Sequence, residues 1–242
     1  ETITGEWDRP EFTITEGPWA GYRLAELYAR AHIPRAWFSH LYAHAWKLNI
    51  PMFASVFSGE DIAFLSEFNQ PAFKIASFEL VDPILIKAAV MFGKPMILST
   101  GMANWEDIKV AARETKSWNT VWLHCVSAYP TALADARLDM IRVLRRQFDF
   151  VGFSDHTRGA TAALMAEALG AVMIEKHITL TPNGSGLDDH FAICPVAFEQ
   201  FVKEIRSGWE ALGGGKVEGP ALANDGADAE HRPLRRSLYA AV

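Results

Sequence analysis

From residue 51 onward the chain repeats one pattern: a short apolar run, a few small polar or ionisable residues, then a segment with apolar positions at helical spacing. The runs are Met52–Ser55, Phe73–Ser77, Met96–Thr100, Val121–Cys125, Phe150–Ser154 and Val172–His177. Continuous apolar runs separated by helical segments predict buried parallel strands joined by helices. Ile62, Leu65 and Phe68 mark one such helix face, and Met140, Ile141 and Leu144 another. Gly93 and Gly170 stand where helices should end, just ahead of strands. Residues 1–50 read differently, as a short hairpin around Phe12 to Trp19 followed by helices near Leu24–Arg30 and Arg35–Leu48.

The strand starts lie roughly 20–30 residues apart, the period of a barrel built from βα units. Six strands are expected, and a closed (β/α)8 barrel has about eight. The fold expected is therefore α/β, an incomplete TIM-type barrel over residues 1–212. Residues 213–242 are Gly-rich at their start and add no further strand-helix unit, so they read as a linker.

With 242 residues, half of them hydrophobic, the chain can bury one sizeable core. Its net charge of −6 argues against nucleic acid or an anionic membrane as partner. An anionic substrate must then be held by local groups. Cys125 and Cys194 have neither metal-ligand spacing nor a disulfide framework, which makes a reducing cytoplasm the expected location. No apolar run reaches transmembrane length.

In parallel α/β folds the C-terminal ends of the strands line the active site. Those ends carry Ser55; Lys74, Ser77 and Glu79; Ser99 and Thr100; His124, Ser127 and Tyr129; Ser154, Asp155 and His156; and Glu175, Lys176 and His177. Hydroxyls with lysines suit a phosphate or carboxylate. Two histidines on neighbouring strand ends suit a divalent metal with open positions. Taken singly, each has a structural alternative. Ser154-Asp155-His156 is also a turn with local hydrogen bonds, Glu175-Lys176-His177 also a surface ion pair, and His124 also a residue facing away from the interior. Asp188-Asp189-His190 has the composition of a metal triad but lies in a Gly-rich loop. Lys74 is harder to explain away, because a lysine inside an apolar strand needs an anionic partner.

Taken together and in order, these blocks resemble the sialic acid (nonulosonic acid) synthase family. They are Lys74-Ile75-Ala76-Ser77-Phe78-Glu79, Ser99-Thr100-Gly101-Met102, His124 through Pro130, Ser154-Asp155-His156-Thr157 and Ile174-Glu175-Lys176-His177. Phe78, together with Thr2-Ile3-Thr4, Asp8 through Phe12 and Leu24 through Tyr28, resembles the pseudaminic branch of that family. Arg235 through Tyr239 resembles the segment leading to an antifreeze-like (SAF) domain, itself outside this sequence.

The resemblance implies a transferase that condenses phosphoenolpyruvate with an amino-sugar aldehyde, as a homodimer in the full-length enzyme. It implies that Lys74, Ser55, Ser77, Ser127 and Ser154 hold phosphoenolpyruvate. It also implies that His156 and His177 bind Mn2+, with Mg2+ or Co2+ as alternatives, and that Glu79, Tyr129 and Asp188 contact the sugar. Lys74, Glu79 and Tyr129 are the candidate catalytic residues. Val56 stands where the family usually has proline and is expected to loosen the loop after Ser55. His190, Ala192 and Cys194 alter the loop beyond the Gly-x-Asp step. An N-acetylneuraminate or legionaminic acid synthase, a metal-dependent barrel aldolase and a catalytically inactive fragment are the competing readings.

Overall fold

The computed structural model describes residues 9–17, 19–115 and 119–214. The segment resembling an approach to a further domain, most of the expected linker, and Thr2-Ile3-Thr4 with Asp8 lie outside the described residues. Five strands, β1 (Phe73–Ile75), β2 (Met96–Ser99), β3 (Thr120–Cys125), β4 (Phe150–Asp155) and β5 (Ile174–Lys176), form one sheet in sequence order. Every pairing is parallel. The first expected strand, Met52–Ser55, is reduced to a single parallel bridge between Ser55 and Lys74. It nevertheless sits at the sheet position expected of it, beside β1.

Among the described residues eight α-helices accompany the sheet: α1 (Leu24–Ala31), α2 (Phe38–Lys47), α3 (Gly59–Ser66), α4 (Pro83–Val90), α5 (Trp105–Glu114), α6 (Asp139–Leu144), α7 (Thr161–Ala168) and α8 (Pro195–Ala211). Their starts are written in the sequence. Ser58 caps α3 by accepting the Asp61 N–H, Asp82 caps α4 just before Pro83, and Asn104 with Asp107 forms a capping box on α5. Gly93 and Gly170 adopt φ of +67° and +95° beyond the ends of α4 and α7, as expected of helix-terminating glycines. The N-terminal hairpin is present as a Thr13–Arg23 antiparallel bridge with Ile14 and Tyr22 hydrogen-bonded beside it.

Strand alternation sorts the side chains to two faces. Phe73, Ile75, Met96, Leu98, Trp122, Val151 and Phe153 pack outward against Ile62, Leu65, Ile86, Ile108, Ile141, Leu144 and Ala166 of the helices, forming the main core. His124 shares this outer face, stacked on Phe153 with Nε2 at 2.8 Å from the Ala136 carbonyl oxygen. Burial holds its imidazole below the ordinary histidine range, so His124 is a neutral core residue. The inner face has a smaller apolar floor of Ala72, Ile97 and Leu123 with Val121 and Met173. Above that floor, toward the strand C-termini, the inward positions turn polar.

The sheet is curled. Lys74 on β1 and Glu175 on β5 occupy opposite ends of the strand order, yet their charged atoms are 3.3 Å apart. In a flat sheet, four strand spacings of about 4.8 Å would separate those strands by roughly 19 Å. Only a surface bent around the inner face brings them together. The architecture is thus a half-barrel with helices outside, as the βα rhythm predicts.

Val56 corrects one expectation. It is fully buried in the outer core, and its N–H donates to the Lys74 carbonyl at 3.0 Å. Proline has no N–H to make that bond, so valine here fastens the segment to β1 instead of loosening it.

Gly152 on β4 closes the inner floor. A Cβ there would lie 2.5 Å from Leu123 Cδ2 and 2.6 Å from the Met173 carbonyl oxygen. Gly152→Ala is expected to destabilise the fold by about 1–3 kcal/mol through overpacking. Gly59→Ala, at a position with nothing within 4 Å, should be neutral or stabilising. Paired thermal or urea denaturation checks both, and equal midpoints for the two variants would contradict the packing described.

Candidate active site

The inward polar positions converge on one cavity of about 360 Å³ at the C-terminal ends of the strands. It is lined by Ser55, Lys74, Ser77, Ser99, Tyr129, Ser154, His156, Glu175 and His177, among others. Nearly every strand-end group proposed from the sequence to hold an anion or a metal is therefore in one place. Lys74 faces inward as alternation requires, while its neighbours Phe73 and Ile75 face the helices. Its partner is Glu175, at 3.3 Å, and not Glu79. Glu175 Oε1 also accepts the Ser154 hydroxyl at 2.8 Å, so the pair and the serine form one chain across the cavity.

The hydroxyls differ in state. The Ser77 hydroxyl lies 3.2 Å from the Cys125 sulfur. Ser99 Oγ is buried with no hydrogen-bond partner among the described residues, and so is Ser127 Oγ. Buried hydroxyls without partners are costly and mark a place for an acceptor-rich ligand or water. Gly101 brings Ser77 and Ser127 close: a Cβ on it would lie 2.4 Å from Ser77 Oγ and 3.0 Å from Ser127 Oγ, and its φ is +32°. The bare backbone at Gly101 is what allows that crowding.

His156 and His177 leave neighbouring strands and face each other, with ring centroids 5.3 Å apart. Both present their rings to the same cavity. His156 Nδ1 is 2.7 Å from the Val126 carbonyl oxygen, and His177 Nδ1 is 2.9 Å from Asp188 Oδ2. Both partners can only accept, so each Nδ1 donates to its partner, and His156 Nε2 lies 3.3 Å from the Ser154 hydroxyl. This is the arrangement in which a second partner orients a metal-ligating imidazole. Burial also pushes the His156 imidazole below its ordinary range, favouring the neutral, ligating form. The two histidines therefore fit a divalent cation that takes its remaining ligands from water or substrate.

Asp188, expected to contact the sugar, has two neighbours of interest. It orients His177 and also borders a second cavity of about 570 Å³, which adjoins the first through Phe78, Tyr129 and His177. Asp189 is occupied with the loop itself, accepting from Thr179 Oγ1 and the Gly186 N–H. No group of three or more metal-type ligands occurs among the described residues, so the Asp188-Asp189-His190 triad is not formed. Neither Asp155 nor Glu175 is the partner of a histidine Nδ1. Asp155 pairs with Lys176, and Glu175 with Lys74.

The second cavity is bounded by the N-terminal hairpin and α1, through Ile14, Trp19, Leu24, Leu27 and Arg30. Trp19 packs at centroid distances of 5.6 Å from Tyr129 and 6.3 Å from Phe191, and its indole N–H donates to the Leu187 carbonyl. A tryptophan read from the sequence as ordinary packing thus forms part of the cavity wall. Glu79 lies buried in the 3-10 turn after β1 and lines neither cavity. Glu175 as the partner of Lys74, and Ser99 as a buried open hydroxyl, are site residues that the sequence did not single out. Inward alternation along β2 and β5 was the available signal for both.

A curled parallel sheet with lysine, hydroxyls and paired imidazoles gathered at the strand C-termini is a barrel-type α/β architecture with its polar cavity at the strand ends. The sequence profile of the NeuB family matches residues 1–217, and the chain belongs to that family. It is 38% identical over 244 residues to the pseudaminic acid synthase of Campylobacter jejuni, covering 99% of this chain and 70% of the relative. It is 36% identical over 196 residues to that organism's N,N'-diacetyllegionaminic acid synthase, covering 78% of this chain and 57% of the relative. The structure of an N-acetylneuraminic acid (sialic acid) synthetase from Leptospira borgpetersenii, in complex with citrate, superposes with a TM-score of 0.78 at 32% identity. That match covers 89% of this chain and 75% of the other.

The Lys74–Glu175 pair is partly buried, with side chains 12% and 31% exposed. A double-mutant cycle with Lys74→Met and Glu175→Gln is expected to give a coupling of about 1–2 kcal/mol, above that of an exposed ion pair. Denaturant titration of the four proteins measures it, and a coupling near zero would mean that the pair does not bridge the cavity.

Proposed function

We propose that the protein is a pseudaminic acid synthase. It condenses phosphoenolpyruvate with 2,4-diacetamido-2,4,6-trideoxy-L-altrose to give pseudaminic acid and phosphate, working in the cytoplasm and as a homodimer in the full-length enzyme. The observation that carries the reading is the inner cavity, where Lys74 and a set of serine hydroxyls stand beside two imidazoles whose Nδ1 atoms are each held by an acceptor. The similarity to pseudaminic acid synthases over 99% of the chain supports the choice of branch.

Lys74, Ser55, Ser77, Ser127 and Ser154 bind the phosphate and carboxylate of phosphoenolpyruvate, and the buried Ser99 hydroxyl faces the same space. An arriving phosphate competes with Glu175 for Lys74. His156 and His177 hold the divalent cation, Mn2+ or alternatively Mg2+ or Co2+. The cation supplies Lewis acidity toward the aldehyde oxygen. Val126 and Asp188 keep both imidazoles in the ligating tautomer. Tyr129 stands at 4.3 Å from the His156 ring and at the junction of the two cavities, where it orients the sugar arriving from the larger one. Glu79 is kept as a sugar-contacting and catalytic candidate that needs a shift of its turn to reach the cavity.

With both substrates held, the enol carbon of phosphoenolpyruvate attacks the aldehyde. Water adds to the cation that develops at C2, and phosphate leaves by C–O cleavage. Alignment of the two substrates supplies much of the rate gain. Trp19, Tyr129 and Phe191 exclude water from that junction.

Incubation with Mn2+, phosphoenolpyruvate and a panel of 2-acetamido sugars, followed by phosphate assay, tests the reading. Phosphate release should depend on the aldehyde and be fastest with the 2,4-diacetamido-2,4,6-trideoxy-L-altrose substrate. Faster release with a legionaminic or N-acetylneuraminic precursor would reassign the branch. Lys74→Ala should weaken phosphoenolpyruvate binding about 10–100-fold, the worth of a charge-assisted hydrogen bond. Unchanged affinity in isothermal titration would remove Lys74 from the site.

A further inference from the structure

On the outer face of the sheet, directly behind the two imidazoles, lies a second ion pair that the reaction does not use. Lys176 Nζ is 2.7 Å from Asp155 Oδ2, with side chains 5% and 0% exposed. The same ammonium donates to the Thr157 carbonyl and sits 5.4 Å from the centre of the Phe201 ring on α8. The other oxygen of Asp155 accepts both the N–H and the hydroxyl of Thr157, at 2.8 and 2.7 Å. Every hydrogen-bonding partner in this cluster belongs to the last residues of β4 and β5 or to the turn just after them.

A buried ion pair is weak support for stability, because desolvation of both charges offsets most of their attraction. Apolar side chains of similar size would serve the outer core as well. The position of the pair suggests its use. Asp155 and Lys176 are the last registered residues of the β4–β5 ladder, and His156 and His177 follow each of them by one residue. Beyond that register no ladder bond ties the two strand ends together. His156 and His177 are instead each tied through the backbone carbonyl to other segments, at Thr131 and Ile193.

We propose that Asp155 and Lys176 are positioning residues: their ion pair holds the ends of β4 and β5 level, so that His156 and His177 present their Nε2 atoms to one divalent cation on the opposite face. The inference rests on the proposed metal role of the two histidines. The clamp acts through the backbone. One step along each strand from the clamped pair turns to the inner face, and a slip of either strand end would move one imidazole relative to the other. Two-point fixation by Thr157 makes the clamp directional, since Asp155 Oδ1 is committed to the turn and only Oδ2 reaches Lys176.

The test uses the full chain and Mn2+, with binding read by electron paramagnetic resonance and stability by thermal denaturation. The double variant Asp155→Asn with Lys176→Met removes both charges and leaves neither buried ion unpaired. It is expected to keep a melting midpoint close to the wild type and to bind Mn2+ at least about tenfold more weakly, the usual effect of losing a residue that supports a ligand. Ile141→Val, which trims the outer core elsewhere, should lower the midpoint and leave Mn2+ affinity unchanged. If the double variant does not fold, Asp155→Asn with Lys176→Gln carries the same expectation, because it removes both charges and keeps the shape of the Asp155 side chain and the acceptor for Thr157. Wild-type affinity in a folded clamp variant overturns the proposal while leaving the metal reading intact. Absence of Mn2+ binding by the wild type overturns both.

Discussion

Lys74 and Glu175 meet across the inside of the sheet from its opposite ends, and most of what the site can do depends on that closure. The sheet is only five strands wide, and its curvature is what turns a row of strand ends into a cavity. Curvature in turn depends on the outer face, where aromatic and branched residues of the strands pack against the helices. Trp122 and Phe153 fill the space between β3, β4 and their flanking helices, leaving the opposite face free to carry polar groups. Two-residue alternation thus does two things at once: it builds a dry outer core and reserves the inner strand ends for chemistry.

The inner face is graded along its depth. Near the strand N-termini, Ile97, Leu123 and Met173 close the floor, and Gly152 is small enough to let them meet. Nearer the C-termini come the lysine, the serines, Glu175 and the histidines. The grading supplies a low-dielectric base beneath a charged rim, which strengthens each ionic contact made above it. The Ser99 and Ser127 hydroxyl oxygens are buried without hydrogen-bond partners among the described residues.

Much of this was legible in the sequence. The βα rhythm predicts parallel strands in order, the alternation around Lys74 predicts its inward direction, and the strand-end positions of His156 and His177 bring both rings to one cavity. Glycines and capping residues marked helix ends correctly at Gly93, Gly170, Ser58, Asp82 and Asn104. What was not legible depends on contacts between distant segments. Nothing local distinguishes Glu79 from Glu175 as the partner of Lys74; only the curl, which brings β5 round to β1, decides it. The family resemblance offers Asp188 as a sugar contact, and the fold adds a hydrogen bond to His177 that no local pattern shows. Val56 looked like a loosening substitution because its hydrogen bond to Lys74 is invisible until the two segments are side by side. Trp19 belonged to a segment with no strong periodicity, and its place in the cavity wall follows from the hairpin docking over the strand ends.

The central claim is that one cavity holds both an anion at Lys74 and a divalent cation between His156 and His177. Crystals grown with Mn2+ and phosphoenolpyruvate, with diffraction recorded at the manganese absorption edge, test it most directly. The account predicts a single strong anomalous peak between the two Nε2 atoms, with phosphoenolpyruvate density against Lys74 and the Glu175 contact loosened. A peak at Asp188 and Asp189, or ligand density away from Lys74, would contradict it.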